Sequence, residues 1–340
     1  MNELSPQKLT AKDFASDQEV RWCPGCGDYA ILKSVQKTLA DIEADPANTV
    51  FVSGIGCSSR FPYYMATYGF HTIHGRAPAF ATGIKLANPK LDVWMVTGDG
   101  DGLSIGGNHL LHVLRRNVDL QILLFNNEIY GLTKGQYSPT SRPGTRSPSS
   151  PSGSIERNLN PCAFALAAGA RFVARTVDTD QKHMPEILKR AHGHRGASFV
   201  EIYQNCIVFN DGVFANFTDK KSAPERQLRA EHGHRLTFGA SNEKGLRLDR
   251  EKVAIEVVTI GENGITEDDI LMHDETDPVL AHLLATLDGP DMPVVVGVIF
   301  NNPAETYDAG VTQQVEKARA AKPNADMKEL LFAGSTWTVD

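Results

Sequence analysis

The 340-residue chain is 41% hydrophobic, which is enough for a large core in one big domain or in two ordinary ones. Its net charge of −7 and its scattered lysines and arginines exclude the basic stripe that predicts a nucleic acid partner. Because no signal peptide opens the chain and no apolar run approaches about 18 residues, we expect a soluble, cytoplasmic protein with no membrane partner.

The chain begins with a polar stretch, residues 1–20, which we interpret as an N-terminal arm. Cys23 and Cys26 follow in the motif CPGCGD, and Asp28 is the predicted N-cap of the next helix. A CxxC pair serves redox catalysis, zinc binding and iron–sulfur clusters alike. A thioredoxin-like pair follows a strand, and no strand pattern precedes Trp22, so a four-cysteine site is favoured.

The first predicted strand, residues 49–52, ends at the motif SGIGCSSR and brings Cys57 to the carboxyl edge of the sheet. His71 and His74 come next, three residues apart. Zinc is disfavoured there, because structural zinc takes four ligands and no acidic partner is close in the sequence. His74 as a donor to phosphate is the better interpretation. A predicted helix over residues 79–88 leads to the next strand.

Two further predicted strands, residues 91–96 and 120–125, end at GDGDG and at NN, and a crossover helix over residues 104–116 joins them. Glycines and a free helix N-terminus accept phosphate oxygens. Asp99 and Asn127 carry hard oxygen atoms of the kind that Mg²⁺ accepts beside phosphates. Either motif alone is an ordinary turn signal, but both at adjacent strand ends favour a magnesium diphosphate site.

The middle of the chain completes an alternating pattern of strands and helices. Residues 137–154 are rich in serine and proline and have the composition of a flexible linker. A helix at 160–169, a strand at 171–177, a helix at 181–194 and a strand at 197–203 follow. The pattern predicts an α/β fold with a doubly wound, mostly parallel sheet.

Five cysteines are too few, and odd in number, for a secreted disulfide framework. Cys57 and Cys206 each follow a predicted strand, whereas Cys162 lies in an apolar helical stretch, where a buried cysteine acts as a small hydrophobe. Cys23, Cys26, Cys57 and Cys206 therefore form one candidate set. Four thiolates suit either Zn²⁺ or a [4Fe–4S] cluster, and coordination alone does not choose between them.

Residues 212–340 are patterned more weakly. Strands are predicted at 253–260 and 294–300, with helices near 278–287 and 311–322. This region shows no catalytic constellation. We interpret it as a C-terminal extension that packs on a partner subunit or covers the cysteine site.

The GDG and NN motifs resemble the diphosphate-binding motif of thiamine diphosphate enzymes. In that family the metal lies on the aspartate of GDG, on the second residue of NN, and on a main-chain oxygen two residues later. The resemblance implies Mg²⁺ on Asp99, Asn127 and Ile129.

A longer series of motifs resembles the β subunit of the 2-oxoacid:ferredoxin oxidoreductases. It comprises CPGCGD, GIGCSSR, HTIHGRAPAFATGIKLA, GDGDGLSIGGNH, NNEIYGLTKGQ and a cysteine after the last strand, in that order. The match spans about residues 22–211, so residues 21–211 are the expected cofactor-binding and iron–sulfur domain. In this family the four cysteines hold a [4Fe–4S] cluster, which selects Cys23, Cys26, Cys57 and Cys206 for iron–sulfur rather than zinc. The family also implies an ordered loop near the cofactor through residues 138–140, in place of a linker.

The same resemblance assigns further roles. The residues implied to line the cofactor are Ile55, Gly56, Cys57, Ser58, His74, Gly100, Asp101, Gly131 and Leu132. Leu132 would be the apolar group over which the bent cofactor folds. Lys134 and Arg60 resemble the family's basic residues at the substrate mouth.

The implied reaction is oxidative decarboxylation of a 2-oxo acid with coenzyme A, giving an acyl-CoA and CO₂, with electrons passing through the cluster to ferredoxin. Thiamine enzymes need a glutamate from a pyrimidine domain, and this chain has one convincing α/β domain. We therefore expect an obligate α subunit, in a dimer of αβ pairs. Residues 203–211 and 231–239 look more like 2-oxoglutarate-type than pyruvate-type subunits, so 2-oxoglutarate is favoured.

Two other functions remain open from the residues themselves. Without the cluster, the same thiamine site would belong to a nonoxidative decarboxylase or synthase subunit. A protein stabilised by zinc or iron–sulfur that only binds a nucleotide diphosphate is the alternative outside enzymes.

Overall fold

The computed structural model describes residues 8–287, 289–323 and 326–339. The strands are β1 Thr49–Ser53, β2 Tyr68–His71, β3 Asp92–Gly98, β4 Leu120–Asn126, β5 Ile129–Tyr130, β6 Gln136–Tyr137, β7 Phe172–Val177, β8 Ala197–Tyr203, β9 Gln227–Ala230, β10 Thr237–Phe238, β11 Lys244–Asp249, β12 Ala254–Thr259 and β13 Val294–Asn301. The helices are α1 Asp28–Asp41, α2 Ala77–Ala87, α3 Gly107–Arg115, α4 Pro161–Ala167, α5 His183–Gly193, α6 Ala215–Thr218, α7 Ala223–Arg226, α8 Pro278–Ala285, α9 Tyr307–Ala321 and α10 Met327–Leu331. Short 3₁₀ segments lie at Ala11–Phe14, Ser58–Tyr64 and Glu267–Asp269, and a π turn at Asp101–Ile105 precedes α3.

The fold is built on one large sheet with the strand order β2-β1-β3-β4-β8-β7-β13-β9. Every neighbouring pair in it is parallel except β7 and β13, which run antiparallel. The central strands are buried on both faces, as parallel strands flanked by helices must be. The predicted α/β class with a doubly wound, mostly parallel sheet is confirmed.

Two apolar layers sandwich the sheet. On one face α1 and α5 contact each other, and their leucine, isoleucine and valine side chains pack with Phe51, Trp94 and Phe125. On the other face α2, α3, α4 and α8 bury their apolar stripes. The predicted N-cap of α1 was wrong by one residue, since Gly27 occupies that position and Asp28 is the first helical residue.

The C-terminal region contributes to the same sheet. β9 and β13 form its far edge, and β13 lies between β7 and β9. β10, β11 and β12 form a separate antiparallel sheet. Of the N-terminal arm, residues 1–7 lie outside the described part, and Phe14 is fully buried against the α1 face. Among the described residues, no helix is long and apolar enough to cross a membrane.

The serine- and proline-rich segment after β6 is ordered. Its backbone forms a series of hydrogen-bonded turns, and Ser138, Thr140 and Ser141 are buried. The interpretation of this segment as a flexible linker was wrong, and the ordered loop implied by the family resemblance is confirmed. Composition alone misled because these hydroxyls have buried partners that are distant in the sequence.

Candidate active site and cofactor cavities

The carboxyl ends of β1, β3, β4 and β8 lie side by side and surround two adjoining cavities. The first, of about 90 Å³, is called here the aspartate cavity and is lined by Ile55, Gly56, Cys57, Ser58, His74, Gly98, Asp99, Gly100, Asp101, Phe125, Asn127, Ile129, Tyr130, Gly131, Leu132 and Thr133. The second, of about 230 Å³, is called the cysteine cavity and is lined by Arg21, Trp22, Cys23, Cys26, Asp28, Cys57, Arg60, Asn127, Gly131, Leu132, Lys134, Gln204, Cys206, Ile207, Val208 and Phe209. They share a wall made of Cys57, Asn127, Gly131 and Leu132. Each site residue predicted from the sequence lines at least one of the two.

Asp99 is the buried acid of the aspartate cavity. Its Oδ2 accepts hydrogen bonds from the hydroxyls of Ser138 and Thr140, both at 2.6 Å. Burial raises the pKa of this carboxyl to about 6, and the two hydroxyls and nearby backbone N–H groups oppose that rise. The two bonds fix one oxygen of the carboxylate and therefore its orientation.

Asp101 joins the loops around the same cavity. Its carboxylate accepts from the backbone N–H groups of Ile55 (3.1 Å) and Gly75 (2.7 Å) and from the Thr97 hydroxyl (2.7 Å). Nδ1 of His74 lies 2.6 Å from Oδ1, without the alignment of a hydrogen bond. Asp101 thus lines the cavity, while most of its hydrogen-bonding capacity holds together the loops after β1 and β2 and the end of β3.

The two asparagines of the NN motif have different surroundings. Asn126 is buried and donates to Glu201 at 2.8 Å, and its oxygen lies 3.0 Å from the Thr140 hydroxyl oxygen. Asn127 lines both cavities, and its side-chain oxygen accepts from the backbone N–H of Ile129 at 3.2 Å. Glu128, which follows Asn127 and directly precedes β5, has a positive φ of 54°, and this conformation turns the chain sharply after β4. Only the second asparagine is therefore presented to the cavities.

Gly100 and Tyr130 pack closely against each other in the aspartate cavity. The Tyr130 hydroxyl donates to the Gly100 carbonyl at 3.0 Å, and a Cβ at position 100 would lie 2.1 Å from the tyrosine ring. The glycine is required here by close approach, because its φ of −66° suits any residue. Leu132 follows in the shared wall with half of its side chain exposed.

The cysteine cavity collects the four cysteines predicted as a set. A Cβ at Gly131 would lie 3.5 Å from the Cys206 sulfur and 3.6 Å from that of Cys57. Burial raises the pKa of the Cys57 thiol to about 12, and nearby Asp28 and the other thiols add to the rise. Burial likewise raises the pKa of Cys26.

The four cysteines line this one cavity. Across the described residues, no three Cys, His, Asp or Glu side chains are grouped closely enough to hold one ion. Cys162 lies elsewhere, fully buried in α4, where its thiol donates to Glu201 at 3.1 Å.

Arg60 and Lys134 line the cysteine cavity, as do the exposed apolar residues that follow Cys206. Arg60 donates to the Arg21 carbonyl at 3.2 Å. Lys134 is exposed and has a positive φ of 77°, in the turn that closes between β5 and β6. Both cations thus lie beside the wall that the two cavities share.

Sequence reasoning missed three residues of the site. Tyr130 and Gln204 were not singled out, and the hydroxyl of Thr140 was not connected with Asp99. A signal existed for Gln204, since it directly follows β8 at the same sheet edge as Gly98 and Asn127. No local pattern marks the other two, because their roles depend on contacts with residues 30 to 41 positions away.

Comparison with known proteins agrees with this geometry. The family described as "Thiamine pyrophosphate enzyme, C-terminal TPP binding domain" matches residues 54–202. The 2-oxoglutarate oxidoreductase subunit KorB of Mycobacterium tuberculosis is 50% identical over 340 residues, covering 98% of this chain and 89% of that protein. The β subunit of 2-oxoacid:ferredoxin oxidoreductase 1 of Aeropyrum pernix is 50% identical over 196 residues, covering 58% of this chain and 62% of that one.

A solved structure matches over nearly the whole chain. The 2-oxoglutarate:ferredoxin oxidoreductase of Magnetococcus marinus, with 2-oxoglutarate, coenzyme A and succinyl-CoA bound, has a TM-score of 0.77 and 32% sequence identity, covering 97% of both chains. Fold and site define an enzyme subunit with a thiamine diphosphate-binding domain. The chain belongs to the β subunits of the 2-oxoacid:ferredoxin oxidoreductases, and it is one part of a multisubunit oxidoreductase.

Proposed function

We propose that this β subunit acts on 2-oxoglutarate and coenzyme A, releasing CO₂ and the acyl-CoA and passing two electrons, one at a time, through a [4Fe–4S] cluster to ferredoxin. The observation that carries the proposal is the wall shared by the two cavities, made of Cys57, Asn127, Gly131 and Leu132. It brings a diphosphate-type site and a four-thiol site into direct contact. Electrons would then leave the first site without crossing the protein surface.

The residues of the aspartate cavity have the ligand types for magnesium and a diphosphate group. Asp99 offers a carboxylate held by two hydroxyls, Asn127 an amide oxygen, and Ile129 a main-chain oxygen, all hard ligands. Gly100 leaves no room for a side chain and so allows the backbone to approach a diphosphate closely. When bound, the cofactor supplies an electron sink for decarboxylation of a 2-oxo acid.

The cysteine cavity has the ligands for a [4Fe–4S] cluster, and the family resemblance favours that cluster over zinc. Cys23, Cys26, Cys57 and Cys206 supply four thiols around one space, the number that a [4Fe–4S] cluster takes. The raised thiol pKa of Cys57 follows from burial among thiols and Asp28, and bound iron would favour the thiolates. The cluster would supply a one-electron acceptor beside the thiamine site.

Three further residues are proposed to contact the cofactor or the substrate. Leu132 is the exposed apolar residue in the shared wall and would support the bent cofactor. Arg60 and Lys134 place two cations at the mouth of the cysteine cavity. We propose that they bind the carboxylates of the 2-oxo acid, because a second carboxylate buried without a cation would cost several kcal/mol.

The proposal includes an obligate α subunit. The activating glutamate expected of a thiamine enzyme is not among the residues that line the aspartate cavity, where Asp99 and Asp101 are the acids. An α subunit in a dimer of αβ pairs would supply that glutamate and complete the substrate pocket. We also propose that the complex is cytoplasmic, as expected from the sequence.

The αβ complex, purified without oxygen, tests the function directly. We expect a reducible charge-transfer band in the violet and, with coenzyme A and ferredoxin, a higher kcat/KM for 2-oxoglutarate than for pyruvate. A tenfold preference for pyruvate, about 1.4 kcal/mol, would overturn the substrate and leave the reaction class standing. Aldehyde release without reduction of ferredoxin would instead identify a nonoxidative decarboxylase.

A further inference from the structure

Gln204 contacts both halves of the site. It is 1% exposed and directly follows β8. Its Oε1 accepts from Nδ2 of Asn127 at 2.8 Å, and its Nε2 donates to the sulfur of Cys26 at 3.2 Å. One side chain thus bridges a proposed magnesium ligand and a proposed cluster ligand.

Backbone groups at both ends fix the orientation of this chain of amides. The N–H of Ile129 only donates, so the oxygen of Asn127 must face it and the nitrogen must face Gln204. At the other end Nε2 of Gln204 also donates to the carbonyl of Asn205 at 2.7 Å, and a carbonyl only accepts. The group presented to the Cys26 sulfur is therefore a hydrogen-bond donor.

We propose that Gln204 is a positioning residue that raises the reduction potential of the cluster and, through the same amide, orients Asn127 toward the metal. The inference rests on the proposed function, because it requires a cluster on Cys26. It assigns to one residue a connection between the two cofactor sites.

The physical basis is the charge on the cluster. Reduction adds an electron, and a donor aimed at a ligand sulfur stabilises the more negative state. The backbone N–H of Asp28 also donates to Cys26, so the sulfur keeps one donor when the glutamine amide is lost. Removal of Gln204 should therefore lower the potential without abolishing ligation.

Two substitutions separate this role from simple packing. Gln204→Met keeps the length and removes both hydrogen-bonding atoms, whereas Gln204→Asn keeps an amide that is one methylene too short to span the two sites. The main-chain bond from Gln204 to the Asn126 carbonyl, 2.9 Å, is retained in both. Gln121→Met is the matched control. Gln121 is also buried, but its amide nitrogen donates to the Val93 carbonyl and the Asp92 carboxylate on β3.

The measurements are a redox titration of the cluster followed by electron paramagnetic resonance, and a Mg²⁺ titration of thiamine diphosphate binding, both on the αβ complex. In both Gln204 variants we expect the equilibrium constant for reduction of the cluster to fall about threefold to tenfold. The larger value corresponds to a reduction potential lower by about 59 mV for one electron. The Mg²⁺ requirement should rise by about threefold or more. Gln121→Met should change neither quantity.

The outcomes are distinguishable from failure of the proposed function. If the native complex holds no iron–sulfur cluster, the function itself is wrong. If the cluster is present and its potential is unchanged in both Gln204 variants, the inference is wrong. A shift in only the reduction potential or only the Mg²⁺ requirement overturns the connection between the sites. Loss of the cluster from both Gln204 variants, but not from Gln121→Met, would overturn the inference and show that Gln204 is needed to retain the cluster.

Discussion

The Thr140 hydroxyl donates to the Asp99 carboxylate across 2.6 Å, although the two residues are 41 positions apart. The bond links the loop after β6 to the turn after β3. It also places an uncharged donor against a buried carboxylate, an arrangement in which a single hydrogen bond has a large effect.

Thr140→Val should weaken magnesium-dependent binding of thiamine diphosphate. Valine has nearly the same shape, but it removes one of the two hydroxyl donors to Asp99, leaving that of Ser138, and it removes the polar contact with Asn126. We expect about a tenfold higher Mg²⁺ requirement, about 1.4 kcal/mol. Thr145→Val, which removes an exposed hydroxyl from the same segment, is the control. Equal Mg²⁺ requirements in the two variants would contradict the role of Thr140.

Loss of the metal site and loss of the cluster should be separable. Asp99→Ala should abolish magnesium-dependent thiamine diphosphate binding and leave the iron–sulfur spectrum intact, because it removes no thiolate. Cys57→Ser should remove the cluster and electron transfer. Cys162→Ser is the control, since that thiol lies in α4 against Glu201. Loss of the cluster in Cys162→Ser but not in Cys57→Ser would show that the four-cysteine set is wrong.

Gly100→Ala should damage the site by overpacking. The added methyl group would lie 2.1 Å from the Tyr130 ring, so the free energy of unfolding should fall by about 1–3 kcal/mol and cofactor binding should weaken. Gly83→Ala is the matched control, because Gly83 lies in α2 with open space around it. There the same change should raise stability by up to about 1 kcal/mol. Denaturant unfolding measures both, and an unaffected Gly100→Ala would refute the close approach.

His183 should make stability depend on pH. Burial lowers its pKa from 6.5 to about 4, so between these values the unfolded chain binds a proton that the folded chain does not. The free energy of unfolding therefore falls as pH decreases through this window, by up to about 3 kcal/mol. His183→Gln keeps a hydrogen-bonding group beside Thr176 and does not titrate. The free energy of unfolding of the native protein minus that of the variant should decrease by that amount from pH 6.5 to 4. A difference that does not change with pH would contradict the assignment.

The parts of the site that follow strands were predictable from the sequence. Gly98, Asn127 and Cys57 each come after an apolar run, and parallel strands bring such positions to one edge whatever the details of packing. The cysteine set was likewise found, although the choice of iron–sulfur over zinc came from family resemblance.

Other features depend on tertiary contacts that leave no local pattern. The hydroxyls of residues 138–141 look like linker chemistry until their buried partners are known. Capping at α1 was misplaced because the backbone of Gly27 serves as the N-cap while Asp28 is drawn inward beside Cys26. The position of β13 within the large sheet also has no local signal, since strand pairing joins residues more than 100 positions apart.

The position of β13 has a consequence for biosynthesis. β7 is complete by residue 177 and β9 by residue 230, but the strand that lies between them is not translated until residue 301. Until then the ribosome-bound chain presents an open edge of β7, a template for pairing with other chains. We expect chains that terminate before β13 to aggregate. We also expect this enzyme to need a chaperone most while the last third of its message is being translated, especially where translation is slow or interrupted.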